Sequence, residues 1–158
     1  MSLLGFFQWC EQSGIGNTIR RSSWLFPLIE AIHLLGLGVI GGAVLVVDLR
    51  LLGLGLRRQS AAQLTRDAQP WLIGSLILMI FTGGLLFLSE AIKCYYHEAF
   101  WFKMTCLLLA IVFTFTVQRK VIMADEARMS SAWSKVVAVV SVLLWSGVGV
   151  GGRWIGFS

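Results

Sequence analysis

Residues 22–58 read SSWLFPLIEAIHLLGLGVIGGAVLVVDLRLLGLGLRR, and this stretch decides the fold. From Trp24 to Val47 it is apolar apart from Pro27, Glu30 and His33. A helix needs about 20 apolar residues, each rising about 1.5 Å, to cross the hydrocarbon core of a bilayer. The stretch is therefore long enough to predict one membrane-spanning helix that ends at a basic segment.

Two ionisable side chains lie inside this predicted helix, two to three turns from its start. Glu30 and His33 are costly at such a depth, so they should face protein or a water-filled cavity rather than lipid. At ~100° per residue, Glu30 shares one face with several other residues, with His33 at the edge of that face. The predicted face carries Leu37, Gly41, Val44 and Asp48.

Small residues on the same helix predict close helix packing. Gly38 and Gly42 form a small-xxx-small pair, which lets a second helix approach the backbone. Such glycine-rich faces also give the chain a way to self-associate as a homo-oligomer.

The composition points to a membrane protein. Of the 158 residues, 57% are hydrophobic and only 13% are charged, whereas a soluble domain carries about 25% charged residues. The net charge of +5 would suggest nucleic acid as a partner of a soluble protein. Here basic loops that orient helices explain it better, so we expect the lipid bilayer and no nucleic acid as the partner.

Apolar runs divide the chain into elements of one transmembrane domain, residues 1–158. Residues 2–12 are apolar but too short to span, which predicts a helix lying in the membrane interface. The SGIGN segment at 13–17 is expected to end it. Pro70 suits the first position of the second span, and the link at 96–99 predicts a hairpin. The fold class is all-α, an integral membrane four-helix up-down bundle with spans at about 24–49, 70–95, 100–118 and 134–152.

Basic residues predict the orientation of the bundle. Eight of them lie at the first and third connections, against five on the other side. The first set is Arg50, Arg57, Arg58, Arg66, Arg119, Lys120, Arg128 and Lys135, and the second is Arg20, Arg21, Lys93, Lys103 and Arg153. Basic residues remain preferentially on the cytoplasmic side. We therefore expect cytoplasmic first and third loops, with both termini outside.

The up-down order brings chemically active residues to one level in the outer half of the bundle. They are Glu30, His33, Glu90, Lys93, Cys94, His97, Glu98, Lys103, Met104 and Cys106. No similar cluster is predicted on the cytoplasmic side, where Asp48 and Arg50 are expected to form a pair that anchors a loop. Three cysteines, Cys10, Cys94 and Cys106, leave at least one unpaired. They form no CxxC motif, so no zinc or thioredoxin-type site is indicated.

One interpretation of the outer cluster is a polar core without a ligand. In it, Glu30 pairs with His33 or Lys103, and Glu90 pairs with Lys93 or Lys103. Such pairs can fix the packing of a small bundle inside the membrane.

Two other interpretations involve a cofactor. His33 can be an axial ligand of b-type haem, with His97 or a group other than histidine as the second ligand. Alternatively, His33 and His97 can bind a metal, with copper as the candidate because Cys94, Met104 and Cys106 offer soft sulfur donors. These donors show no recognisable ligand spacing.

Several segments carry a resemblance that covers nearly the whole chain. They are the stretch at 22–56, TGG at 82–84, HEAFWFKM at 97–104 and the closing GRWIGFS at 152–158. Together they resemble an uncharacterised family of small four-helix proteins of the bacterial inner membrane. The resemblance implies the bacterial inner (plasma) membrane as the location, and it carries no activity with it.

Two further groups are more distantly similar, through AIH at 31–33 and FxxK at 100–103. They are the copper-resistance D-type proteins and the haem-binding membrane protoporphyrinogen oxidase. The similarity implies that His33 and Lys103 matter for haem binding or activity, although Phe100 stands where the oxidase has tryptophan. The resulting hypothesis is an inner-membrane protein that binds b-type haem or is otherwise redox-associated, with Glu30, Glu90 and His97 near the cofactor. The alternatives are a non-catalytic structural or transport-accessory membrane protein and a copper-handling membrane protein, and the sequence leaves open whether the chain is an enzyme.

Overall fold

A computed structural model describes residues 2–55, 58–124 and 131–156, and the regular secondary structure of these residues is entirely helical. Four of the helices are long and apolar enough to cross a membrane, which confirms the prediction of a multi-pass membrane protein. The helices are α1 (Leu3–Glu11), α2 (Gly14–Arg21), α3 (Leu25–Leu52), α4 (Ala61–Ser89), α5 (Ala91–Tyr96), α6 (Glu98–Met123) and α7 (Ser131–Ile155).

The central helix is α3, which packs against both α4 and α7, while α6 packs against α7. Its ends follow local chemistry. The Ser22 hydroxyl accepts a hydrogen bond from the N–H of Leu25 at 3.2 Å, and Gly53 closes the helix in the left-handed conformation at φ 76°, as glycine commonly does. Gly36 allows a close approach to α4, because a Cβ at this position would lie 3.1 Å from Met79 Cγ.

The buried stripe of α3 differs from the predicted face. Gly41 is exposed, whereas Val44 and Asp48, which share its predicted face, are buried. The buried stripe begins at His33, which the prediction placed at the edge of the face. It contains His33, Gly36, Ile40, Val44, Val47 and Asp48.

The second span begins nine residues before its predicted start. Pro70 lies inside α4, which starts after Ser60, whose hydroxyl accepts a hydrogen bond from the N–H of Gln63 at 3.1 Å. The added turns are amphipathic and bury Ala61 beside Val47 and Ile122. Packing of this face outweighs the cost of an interior proline, which removes one helix hydrogen bond.

The same span ends earlier than predicted, because α4 stops at Ser89 and α5 begins at Ala91. Two charged residues from the N-terminal segment bond to the backbone groups around this break. Arg20 Nη1 donates to the carbonyl of Ser89 at 3.3 Å, and Glu11 Oε2 accepts from the N–H of Ile92 at 2.6 Å. Arg20 Nη1 and Glu11 Oε1 are 2.8 Å apart.

The N-terminal segment contains a short first helix close to the predicted one, but SGIGN does not end it in a loop. The Ser13 hydroxyl accepts a hydrogen bond from the N–H of Gly16 at 3.1 Å and starts α2. Serine at a helix start is favourable because it satisfies one otherwise unpaired N–H. A Cβ at Gly16 would collide with the carbonyl of Leu88, so glycine lets α2 lie against α4.

The third and fourth spans are also longer than predicted, and α6 contains a π-helical turn at Thr114–Gln118. The predicted link at 96–99 shortens to His97, the one residue between α5 and α6. Three parts of the sequence-based predictions lie outside the described residues, namely Arg57, Arg128 and the last two residues of GRWIGFS.

We predict that Arg20→Gln lowers the free energy of unfolding by about 1–2 kcal/mol, since it removes charge-assisted hydrogen bonds that are partly exposed. Arg21→Gln is the matched control, because Arg21 is adjacent and exposed. Thermal unfolding of both variants in mild detergent measures the effect. Equal midpoints for the two variants would show that the Arg20 contacts do not stabilise the break between α4 and α5.

Candidate functional site

His33 lies between α3 and α4 and is 8% exposed. Its Nδ1 is 2.8 Å from the hydroxyl oxygen of Thr82 on α4. One edge of the ring rests on the α4 backbone, because a Cβ at Gly83 would lie 3.1 Å from His33 Cε1. The imidazole is therefore held in place by a hydrogen bond and by close packing against the same helix.

The hydrogen bonds of Thr82 define the tautomer of His33. The Thr82 hydroxyl donates its single proton to the carbonyl of Leu78 at 2.7 Å, so toward His33 it can only accept. Nδ1 of His33 must then carry the hydrogen. In a neutral imidazole the other nitrogen, Nε2, keeps a free lone pair, and within the described ranges it has no hydrogen-bond partner.

Lys103 on α6 is also partly buried. Its Cβ lies against Gly151 on α7, where an added Cβ would come within 3.0 Å. The Lys103 charge acts electrostatically on both His33 and Cys94. Among the residues that the structure describes, the ammonium group has no ion pair and no hydrogen bond.

Glu30 does not join the polar core in the predicted way. Its Oε1 lies near Gly156, at the end of α7, where an added Cβ would be 3.8 Å away. The predicted pair of Glu30 with His33 or Lys103 is wrong, because the His33 ring is turned toward α4 and bonds to Thr82 instead. In the described part of the chain, Glu30 forms no ion pair.

The pair of Glu90 and Lys93 is confirmed, with Oε2 and Nζ 3.8 Å apart. Both side chains are about 40% exposed (39% and 43%). Exposed pairs of this kind contribute little stability, because water screens them. Glu90 therefore lies partly exposed at the break between α4 and α5, and it is not part of a buried site.

His97 lies just before α6, whereas His33 is part of α3. It lines a surface cavity together with Phe102 and Trp154. Its Nδ1 is buried and has no hydrogen-bond partner in the described residues. Within residues 2–55, 58–124 and 131–156, no hydrogen bond joins His97 to His33.

All three cysteines are free, and they lie in two different places. Cys10 and Cys94 are buried in an apolar cluster with Phe7, whereas Cys106 packs against Gly147 of α7. Burial, with a contribution from the nearby Glu90 carboxylate, raises the pKa of Cys94 to about 11. This thiol therefore carries its proton at neutral pH, and a metal would have to displace that proton in order to bind.

The predicted copper ligands accordingly do not converge. Met104 is 44% exposed on α6. Within the ranges that the structure describes, no group of three His, Cys, Asp or Glu side chains is placed to hold a metal ion. The copper hypothesis remains a prediction without a donor set.

A second polar cluster lies toward the other end of α3, where none was predicted. Asp48 is fully buried, and its Oδ1 accepts a hydrogen bond from Gln118 Nε2 at 2.7 Å. Ser141 of α7 also lies beside the Asp48 carboxyl. The predicted loop-anchoring pair of Asp48 and Arg50 is wrong, because Asp48 continues the buried stripe of α3 while Arg50 Nε donates to the carbonyl of Gln59 at 2.7 Å.

The π-helical turn of α6 carries two polar residues that form hydrogen bonds in this region. Its first residue, Thr114, accepts from Trp145 Nε1 at 3.2 Å, and its last, Gln118, bonds to Asp48. A π-helical turn is wider than an α-helical one, and both of these polar residues contact neighbouring helices from it. The sequence signal was a pair of polar residues, Gln118 and Ser141, within otherwise apolar runs.

Three oxygens of the cluster are buried and have no hydrogen-bond partner in the described residues, namely Asp48 Oδ2, Gln118 Oε1 and Ser141 Oγ. The substitution Asp48→Ala would also leave the buried Gln118 Nε2 without its hydrogen-bond acceptor. We predict a loss of about 1–3 kcal/mol in the free energy of unfolding, the usual cost of an unpaired buried group. Asp67→Ala, on the exposed side of α4, is the control and should change it little. Similar melting curves for the two variants would contradict the role of Asp48 in joining α3 to α6.

Comparison with known proteins gives one match. The sequence profile of a family described as "Family of unknown function (DUF6644)" matches residues 6–158. No curated protein and no solved structure matches the chain.

Proposed function

The chain belongs to the DUF6644 family, whose function is unknown, and from its own residues we propose that it is a bacterial inner-membrane protein that binds b-type haem through His33. The observation that carries the proposal is the hydrogen-bond chain from His33 through Thr82 to the carbonyl of Leu78. It orients the ring and leaves Nε2 with a free lone pair. Histidines that bind metals characteristically donate their other N–H to a fixed acceptor.

The remaining roles follow from charge and position. Haem carries negatively charged propionates, and Lys103 supplies a partly buried ammonium group without a partner in the described residues. We assign Lys103 to a propionate. Bound haem would supply one-electron chemistry, with His33 holding the iron and α4 fixing the ring. Glu30, Glu90 and His97 stay predictions as further residues of the cofactor site, with His97 as the candidate for a second axial ligand.

A specific observation favours a second candidate function, that of a non-catalytic structural or transport-accessory protein that forms homo-oligomers. Gly38 and Gly42 are exposed, and a Cβ at either would meet nothing within 4 Å. The small-residue face of α3 is therefore not used for packing within the described chain. Two copies could approach closely along it, as small residues permit in membranes.

The proposal includes a topology. We propose that the four spans follow an up-down order, with the first and third connections in the cytoplasm, both termini outside, and α1 lying in the membrane interface. The distribution of basic residues supports this orientation, because Lys and Arg are retained on the cytoplasmic side.

Cysteine labelling in intact cells tests the orientation. In a background without Cys10, Cys94 and Cys106, we expect Gln59→Cys to resist a membrane-impermeant thiol reagent, and Tyr96→Cys to react readily. Both positions are exposed, so access to the reagent depends on the side of the membrane. Labelling of Gln59→Cys together with protection of Tyr96→Cys would reverse the proposed topology.

An absorption spectrum tests the haem proposal. We expect protein expressed with ample haem and purified in mild detergent to show a Soret band that sharpens on reduction. His33→Ala should abolish nearly all of this absorption, because the axial ligand is lost. His97→Ala is the paired variant, and it should retain most of the absorption.

Circular dichroism controls for folding, since both variants should keep their helical signal. Wild-type protein without Soret absorption under these conditions would rule out the haem proposal. A full Soret band in His33→Ala would remove His33 as the ligand.

A further inference from the structure

A cavity of about 320 Å³ opens on the side of the molecule, between α4 and α6 with α3 as its floor. Its walls are mostly apolar, and they include Val44, Val47, Leu72, Phe115 and Ile122. In this part of the molecule α4 contacts α6 near its last turn, Arg119–Met123. The cavity therefore lies between membrane-spanning helices, where surrounding lipid can reach its apolar walls.

The cavity is basic near one of its ends. Arg66 of α4 and Arg119 of α6 both line it, and both are exposed. In the described ranges neither guanidinium group has an ion pair or a side-chain hydrogen bond. Gln69 and Thr65 lie on the same wall and add polar groups at this end.

The two arginines stand at the boundary of the apolar layer. Arg66 precedes the apolar run of α4 that begins at Trp71, and Arg119 follows the apolar run of α6 that ends at Val117. Going deeper from the arginines, the lining becomes apolar at Leu72 and Phe115. The cavity thus changes from cationic to apolar along the direction in which a lipid changes from headgroup to acyl chain.

We propose that this cavity binds one anionic phospholipid, with the headgroup between Arg66 and Arg119 and an acyl chain along Leu72 and Phe115. Basic pockets between membrane helices bind anionic headgroups through charge-assisted hydrogen bonds. This lipid site does not include His33 or Lys103, so the lipid proposal does not depend on the haem proposal.

The acidic groups near the cavity do not neutralise the arginines. Asp67 follows Arg66 on α4 but does not line the cavity. Asp48 lies behind the wall and bonds to Gln118, a lining residue. The charge offered to a bound molecule by the described lining residues is therefore positive, which favours an anionic headgroup over a zwitterionic one.

Native mass spectrometry of protein released from nanodiscs tests the proposal. The nanodiscs contain equal amounts of phosphatidylglycerol and phosphatidylcholine. We expect one phosphatidylglycerol to be retained with about tenfold preference, since two basic residues near the headgroup favour the lipid that carries a net negative charge. The double variant Arg66→Gln, Arg119→Gln should retain the two lipids within about twofold of each other.

Two controls separate this site from general effects of charge. The double variant Arg58→Gln, Lys120→Gln removes two exposed charges that do not line the cavity, and it should keep the preference. Leu72→Trp fills the cavity without changing charge, and it should reduce retention of phosphatidylglycerol. The absorption spectrum of each variant reports separately on the haem proposal.

Three results would overturn the lipid site. The first is equal retention of both lipids by the wild-type protein. The second is a preference that survives in Arg66→Gln, Arg119→Gln. The third comes from thermal unfolding in detergent, where stabilisation by 10 mM inorganic phosphate equal to that by phosphatidylglycerol would indicate an anion site without a lipid.

Discussion

A histidine inside an apolar helix needs a polar partner, and the hydrogen bond between His33 and Thr82 meets this need. The bond joins α3 to α4 in the same region where Gly36 lets Met79 approach and Gly83 lets the imidazole rest on the backbone. An unpaired buried polar group costs about 1–3 kcal/mol, so sliding one helix along the other would be penalised. The contact therefore fixes the register of the two helices as well as the orientation of the ring.

The same physical constraint operates near the other end of α3, with a different partner helix. There Asp48 bonds to Gln118 of α6, and Trp145 of α7 bonds to Thr114 of the same π-helical turn. One polar contact of α3 thus fixes α4, and the other fixes α6. Between them lies an apolar cluster that includes Ile40, which is fully buried. Polar contacts define the arrangement, and apolar packing fills the space between them.

Composition and apolar runs predicted the membrane class and all four long helices, because these features depend only on local sequence. The ends of helices were predicted less well. The break after Ser89 depends on Glu11 and Arg20, which come from a distant part of the chain. The helical turns before Pro70 exist because Ala61 is buried against other helices. Neither effect is visible in a local window of sequence.

The candidate site shows the same division. The sequence singled out His33 as a polar residue deep in a helix, but its partner Thr82 lies 49 residues away along the chain. Pairing by sequence proximity suggested Glu30 for His33 and Arg50 for Asp48, and the structure corrects both. In each case the helical stripe, rather than the nearest charge, determined which residue the side chain meets.

The central claim is that His33 donates through Nδ1 to Thr82 and offers a free Nε2 lone pair to haem iron. The most direct test is a ¹⁵N spectrum of histidine-labelled protein in lipid bilayers, with His97→Gln leaving His33 as the single labelled histidine in the chain. The account predicts a protonated Nδ1 and an unprotonated Nε2, with the Nε2 resonance lost or strongly shifted when haem is added. A protonated Nε2, or a spectrum unchanged by haem, would contradict it.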